Sequence, residues 1–174
     1  DYGIYRKSDE LVDPTTGRLL GHEITHVADA KLLNLGDPST LMITHNKMEA
    51  LAGDILLASS QGSIVHQYIP RIPELNGEGR VISLVNAISQ SGRSQVIVLN
   101  MGKESNIQSG DVLAIETAGK RVIDERAGFG HKKVRMPNLR TGVVMDFKTF
   151  DKVSYALVME STRPVRKNDI ITGI

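Results

Sequence analysis

The chain has 174 residues, 21 Lys+Arg against 20 Asp+Glu, a formal charge of +1, 40% hydrophobic residues, and no Cys or Trp. That length fits one domain or two small ones, and the composition is that of a folded chain rather than a disordered one. Near-neutrality excludes general attraction to nucleic acid or to an acidic membrane surface, and the missing thiols exclude disulfides, thiolate nucleophiles and Cys-type zinc sites. No apolar run approaches the roughly 20 residues needed to cross a bilayer as a helix.

In chain order, the first hairpin is Leu11-Val12, then Asp13-Pro14-Thr15-Thr16-Gly17, then Leu19-Leu20. Pro14 presets φ, and Gly17 supplies the positive φ that ends such a turn. Asp1 in place of Met suggests a fragment or processed form, with any signal peptide or partner module outside the chain.

His22-Glu23-Ile24-Thr25-His26 spells HExxH, the pattern of zinc peptidases. That chemistry needs a helix, where residues four apart share a face, so that both imidazoles reach one zinc while Glu23 activates its water. Ile24, Val27, Ala28, Leu32 and Leu35 are loosely helical in spacing, and Glu49 could be a third ligand. Gly21 and Thr25 make a poor helix start, however, and Leu19-Leu20 belongs to the hairpin. On a strand, His22 and His26 would share a face but stand roughly 13 Å apart, at about 3.3 Å per residue. The expectation is therefore a strand without metal or cofactor, with a zinc site through His22 and His26 as the alternative.

An internal repeat is the main organising signal. Ser39–Leu57 and Ser154–Thr172 align without a gap on Asp54 and Asp169, each closing on Gly-Asp or Asn-Asp followed by aliphatics, and Gly110-Asp111 is a third turn of this kind. Gly or Asn tolerates a left-handed backbone, and Asp can bond the nearby amides as the strand begins. Upstream, Leu20–His26 is laid beside Thr141–Phe147, and Asp1–Tyr5 beside Asp111–Ile115. These alignments predict a mainly β fold made of two related small antiparallel β-barrel-like units, a tandem repeat whose first copy lacks its leading strands. Residues ahead of Asp1, or another chain, would supply them.

The expected domains are 1–67, a linker over Tyr68–Gly79 marked by Pro70, Pro73 and Gly77, and 80–174. In the second unit a hairpin is expected around Ser91–Ser94, with Val96, Val98, Val112, Ala114, Val144, Val158 and Ile170 facing inward. Residues 119–138 read as a long exposed hairpin loop inserted into the second copy only. Its GFGHKK run lacks the strand–loop–helix context of a phosphate loop. Lys120, Arg121, Lys132, Lys133, Arg135 and Arg140 cluster around it. Lys132, Lys133, Arg135 and Arg140 are the candidate binding residues, for an anionic ligand or acidic partner. No catalytic residue is assigned: Ser59-Ser60 and Ser89 lack the glycines of a nucleophile elbow.

The runs VDPTTGRLLGHEITHVADAKLLNLGDPSTLMIT, followed by GDILLA, and TGVVMDFKTFDKVSYALVMESTRPVRKNDII resemble the region after the LysM module in a group of proteobacterial envelope proteins. The resemblance extends from Tyr5 to Ile171 and is carried by the DPxTG turn, the GDP turn at Gly36–Pro38, and the run Phe147–Ala156. It implies a non-enzymatic, periplasmic or envelope-associated scaffold. Contact with peptidoglycan would be indirect, through a LysM module that this chain does not contain, and an envelope protein partner would be expected. No YxVxxGDTLxxIA signature occurs here, so glycan binding is not assigned to these residues.

Overall fold

The computed structural model describes residues 1–59, 68–75, 77–85, 87–124 and 132–174. Among them are twelve β-strands and one short 3-10 turn, Lys103–Ser105, which makes the protein mainly β. Contacts divide the chain into two units: unit 1 is Asp1–Leu11 with Gly21–His66, and unit 2 is Val12–Leu20 with Gln67–Ile174. The tip of the first hairpin thus groups with unit 2 rather than with the 1–67 segment expected from sequence.

Unit 1 is built on a four-stranded sheet of β1 (Tyr2–Val12), β2 (Leu19–Asn34), β3 (Thr40–Asn46) and β4 (Ile55–Ala58), in the order β3-β2-β1-β4. Among the described residues, its two edge strands, β3 and β4, each have one partner only.

In unit 2, six strands close into an antiparallel barrel: β5 (Gly79–Leu84), β6 (Val96–Leu99), β7 (Val112–Thr117), β10 (Leu139–Thr149), β11 (Ser154–Ser161) and β12 (Ile170–Gly173). Around the barrel the order is β10-β11-β6-β5-β12-β7. Closure gives every strand two partners and leaves no edge. A separate two-stranded ribbon pairs β8 (Arg121–Asp124) with β9 (Lys132–Arg135).

The barrel core is Val81, Leu84, Ile97, Leu99, Met101, Ile107, Leu113, Ile115, Val144, Ala156, Val158, Val165 and Ile171, all buried. Val144 and Val158 face inward as expected. On β6, β7 and β12 the inward residues are instead Ile97 and Leu99, Leu113 and Ile115, and Ile171, one position from the expected set. Val98, Ala114 and Ile170 are also buried but lie outside that cluster, while Val96 and Val112 are half-buried. These strands are apolar on both faces, so period-2 alternation, the only sequence signal for facing, is absent. A one-residue slip then exchanges the faces.

The two units share a ladder plan. In unit 1, Tyr2, Gly3, Ile4 and Tyr5 pair with Ala58, Leu57, Leu56 and Ile55. In unit 2, Leu113, Ala114, Ile115 and Glu116 pair with Gly173, Thr172, Ile171 and Ile170. With Asp54 aligned on Asp169, these are the same pairs, so Tyr2 corresponds to Leu113, one residue from the sequence alignment. The β2–β3 ladder is interrupted after Asp29 and again after Leu32; the β10–β11 ladder is interrupted after Val143 and again after Asp146. The interruptions coincide when Ala28 is placed on Gly142. Val27–Leu33 is therefore the counterpart of Thr141–Phe147, seven residues beyond Leu20–His26, which had been matched on the shared Gly alone.

This register also changes the reading of residues 119–138. Tyr5 to His26 spans 21 residue steps (26 − 5) and Glu116 to Arg140 spans 24 (140 − 116), so each copy carries a long hairpin arm and 119–138 is not an insertion peculiar to the second. Nor is the segment irregular throughout, since β8 and β9 lie inside it. The Tyr68–Gly79 stretch is likewise more than a connector. Arg71 pairs with Asp111 across a short parallel bridge, its N–H donating to the Gly110 carbonyl at 3.0 Å, and Gly79 already belongs to β5.

Candidate binding surface

The acidic turns expected from sequence form, each by the same means. In Leu51–Asp54, Gln108–Asp111 and Arg166–Asp169 the final Asp accepts the backbone N–H of the first residue, at 2.8, 2.7 and 2.8 Å. The Asp N–H returns to that residue's carbonyl at 3.1, 3.1 and 3.2 Å. The third residue has positive φ: Gly53 at 97°, Gly110 at 100° and Asn168 at 73°. A fourth turn, Gly92–Gln95, uses a Gln side chain for the same bond at 2.7 Å, with Ser94 at φ 64°. The first hairpin tip also forms as expected. Asp13 accepts from the N–H groups of Thr15 and Thr16, and Gly17 has φ 71°. Burial raises the Asp13 pKa, but these bonds and one from Asn100 outweigh it and hold the carboxyl below its ordinary value.

Asp54 and Asp169 occupy matching positions with different neighbours. Arg6 grips Asp54 through two hydrogen bonds of 2.8 and 2.9 Å, and that grip, followed by the Leu51 N–H, holds the carboxyl below its usual range. Thr117 corresponds to Arg6 and reaches Asp169 at 3.4 Å; there burial dominates and raises the pKa. Asp111, fully buried, is ion-paired to Arg71, which also bonds Gln108 Oε1 at 3.0 Å. Asp146 is buried at the same end of β10, with its N–H on the Asp111 carbonyl at 2.8 Å and Oδ1 receiving Thr149 Oγ1 at 2.9 Å. Burial pushes Asp146 up to about 6; the hydrogen bond from Thr149 opposes this, and the Asp111 charge adds to it. Sequence reading missed both the Arg71–Asp111 pair and Asp146. The available signal was an Asp set among the aliphatics of Val143-Val144-Met145-Asp146-Phe147.

His22, Glu23 and His26 lie in the long strand β2, not on a helix. The rise of a strand keeps the two imidazoles about 13 Å apart along the chain, beyond the reach of a single zinc. His26 bonds Asp29 Oδ1 at 3.0 Å and meets the Tyr5 ring edge-on at 5.2 Å. No group of three or more metal-ligating side chains occurs among the described residues.

The basic residues do not form one cluster. Antiparallel pairing sets Arg121 opposite Arg135, Val122 opposite Val134, and Ile123 opposite Lys133. Alternation therefore puts Arg121, Lys133 and Arg135 on one ribbon face with Ile123, and Val122 and Val134 on the other, while Lys132 pairs through its backbone with Asp124 at the end of the ladder. Arg140 lies on barrel strand β10 opposite Glu116. Gly128, Phe129, Gly130 and His131, like Ser60 and Asn76, lie outside the described residues. Like charges directly opposite one another destabilise a ladder, so the Arg121–Arg135 pair, exposed at the surface, is a place where an anion would relieve repulsion.

Among the described residues no helix is long and apolar enough to cross a membrane. No family model matches the chain, and no curated protein matches it.

Proposed function

We propose that this chain is a non-catalytic scaffold and binding region of a cell-envelope protein, held near peptidoglycan by a LysM module outside residues 1–174. The observation that supports this reading is how its charged side chains are used. Asp54, Asp111 and Asp169 are each bound to the amide of their own turn, and Arg6 and Arg71 hold two of those carboxylates in place. Groups committed in this way fix strand ends rather than move protons. The resemblance to the post-LysM region supplies the compartment and the tether.

Sedimentation with purified sacculi tests the proposal. Residues 1–174 should stay in the supernatant, while the natural polypeptide with its LysM module should pellet. Equal pelleting of both would overturn it.

A second reading has its own support in the opposed Arg121 and Arg135: the ribbon face with Lys133 takes an anionic ligand. Heparin-column retention should fall steeply with salt and be lost in Arg121→Glu/Arg135→Glu. Retention unchanged by that double substitution would remove this reading.

A further inference from the structure

We infer that the open sheet of unit 1 is the unfinished wall of a second six-stranded barrel, completed by a two-stranded β-hairpin that the polypeptide carries on the N-terminal side of Tyr2. This does not depend on the envelope reading.

The first argument is topological. In unit 2 the run β11-β10-β7-β12 is closed by β5 and β6, with β6 on β11 and β5 on β12. The counterpart run in unit 1 is β3-β2-β1-β4, with the β1–β4 and β2–β3 ladders matched pair for pair and interruption for interruption. Among the described residues, what unit 1 lacks is the closing pair, and its two edge strands are the counterparts of the strands that pair would join.

Solvent exposure gives the second argument. Ile43 and Leu56 correspond to Val158 and Ile171, which are 0% exposed inside the barrel, whereas Ile43 is 48% and Leu56 46% exposed. Aliphatic residues kept at inward ladder positions, on a sheet whose two edges have no further strand among the described residues, form a surface built for a β-partner. By contrast Ala30, the counterpart of Val144 in the middle of the sheet, is already buried. The deficit lies on the edge strands.

Sequence order identifies the occupant. In unit 2 the closing strands run from Gly79 to Leu99 and precede β7. Since β1 is the counterpart of β7, the repeat puts the missing strands ahead of β1. The first would run antiparallel to β4 and the second antiparallel to β3, each short and aliphatic like Val81–Leu84 and Val96–Leu99. A second copy of this chain fits less well: it would bring its own open edges and extend the sheet rather than close it.

Hydrogen exchange read by mass spectrometry tests this, comparing residues 1–174 with the natural polypeptide extended by at least 33 residues, the length of 79–111. In the longer chain, amides of Thr40–Asn46 and Ile55–Ala58 should exchange at least tenfold more slowly, with unit 2 amides unchanged and both chains monomeric by light scattering. Leu56→Lys in the longer chain should reduce that slowing to less than about threefold. Unchanged exchange on extension would overturn the inference. So would a dimer of residues 1–174 that already protects these strands, or protection that survives Leu56→Lys.

Discussion

Asp54 and Asp169 do the same work in matching turns, yet protons act on them in opposite directions. The Asp54 carboxyl is depressed by Arg6, so its contribution is present at neutral pH and is lost as pH falls through the ordinary carboxylate range and below. Asp169 and Asp146 are raised by burial, so the folded state binds protons that the unfolded chain has released, and stability falls as pH rises. For Asp146, raised to about 6, the loss develops between pH 4 and 7 and amounts to about 3 kcal/mol. Asp146→Asn keeps an acceptor for Thr149 and removes the titration. Urea unfolding of unit 2 at pH 4.5 and 7 should therefore show a smaller pH difference in this variant, with the gain in stability at pH 7. An unchanged difference would place the titration elsewhere. Glycines separate in the same way. Gly53 and Gly110 both have φ near 100°, but a Cβ at Gly53 meets nothing within 4 Å, whereas one at Gly110 would lie 2.6 Å from the Ile69 carbonyl oxygen. Gly53→Ala should cost about 1–2 kcal/mol through left-handed strain alone, and Gly110→Ala measurably more in parallel denaturation curves.

At the level of elements, legibility followed local chemistry. The Asp13–Gly17 tip and the turns ending at Asp54, Asp111 and Asp169 were readable because each is made within four or five residues by a side chain bonding its own backbone. Strand facing was not readable on β6, β7 and β12, where both faces are apolar. The pairing of β2 with β10 was misplaced by seven residues because Gly21 and Gly142 look alike, while the true equivalents, Ala28 and Gly142, do not. Lys132, Lys133, Arg135 and Arg140 looked like one basic group because sequence proximity hides that the first three belong to the ribbon and Arg140 to barrel strand β10. The ribbon makes a ladder of its own, so replacing 120–136 with an Asn-Gly turn should leave the urea midpoint of the barrel within about 0.5 kcal/mol of the parent. A collapse of the barrel would show that the ribbon supports it.

For the molecule as a whole, an open sheet in one unit and a closed barrel in the other predict unequal stability. Among the described residues, unit 1 buries few large aliphatics, Leu11 and Val27 among them, against the thirteen-residue core cluster of unit 2. Residues 1–174 should thus unfold in two steps in urea, with unit 1 amides exchanging before those of the barrel. A single coincident transition by near- and far-ultraviolet dichroism would contradict this. The two-copy plan was visible in sequence through the aligned Ser39–Leu57 and Ser154–Thr172. The evidence for common construction is stronger in the ladders, where backbone pairing persists after side chains have diverged.

The coincident ladder interruptions have an evolutionary consequence. An extra residue in a strand shifts everything after it to the other face, so both defects at matching places in two sheets point to one origin rather than to separate accidents. The simplest history is duplication of an ancestral gene segment that already carried them. The descendants then diverged: where one has an edge-on contact between the Tyr5 and His26 rings, the other sets Glu116 opposite Arg140. At such positions an aromatic contact in one half stands where the other has an opposed charge pair.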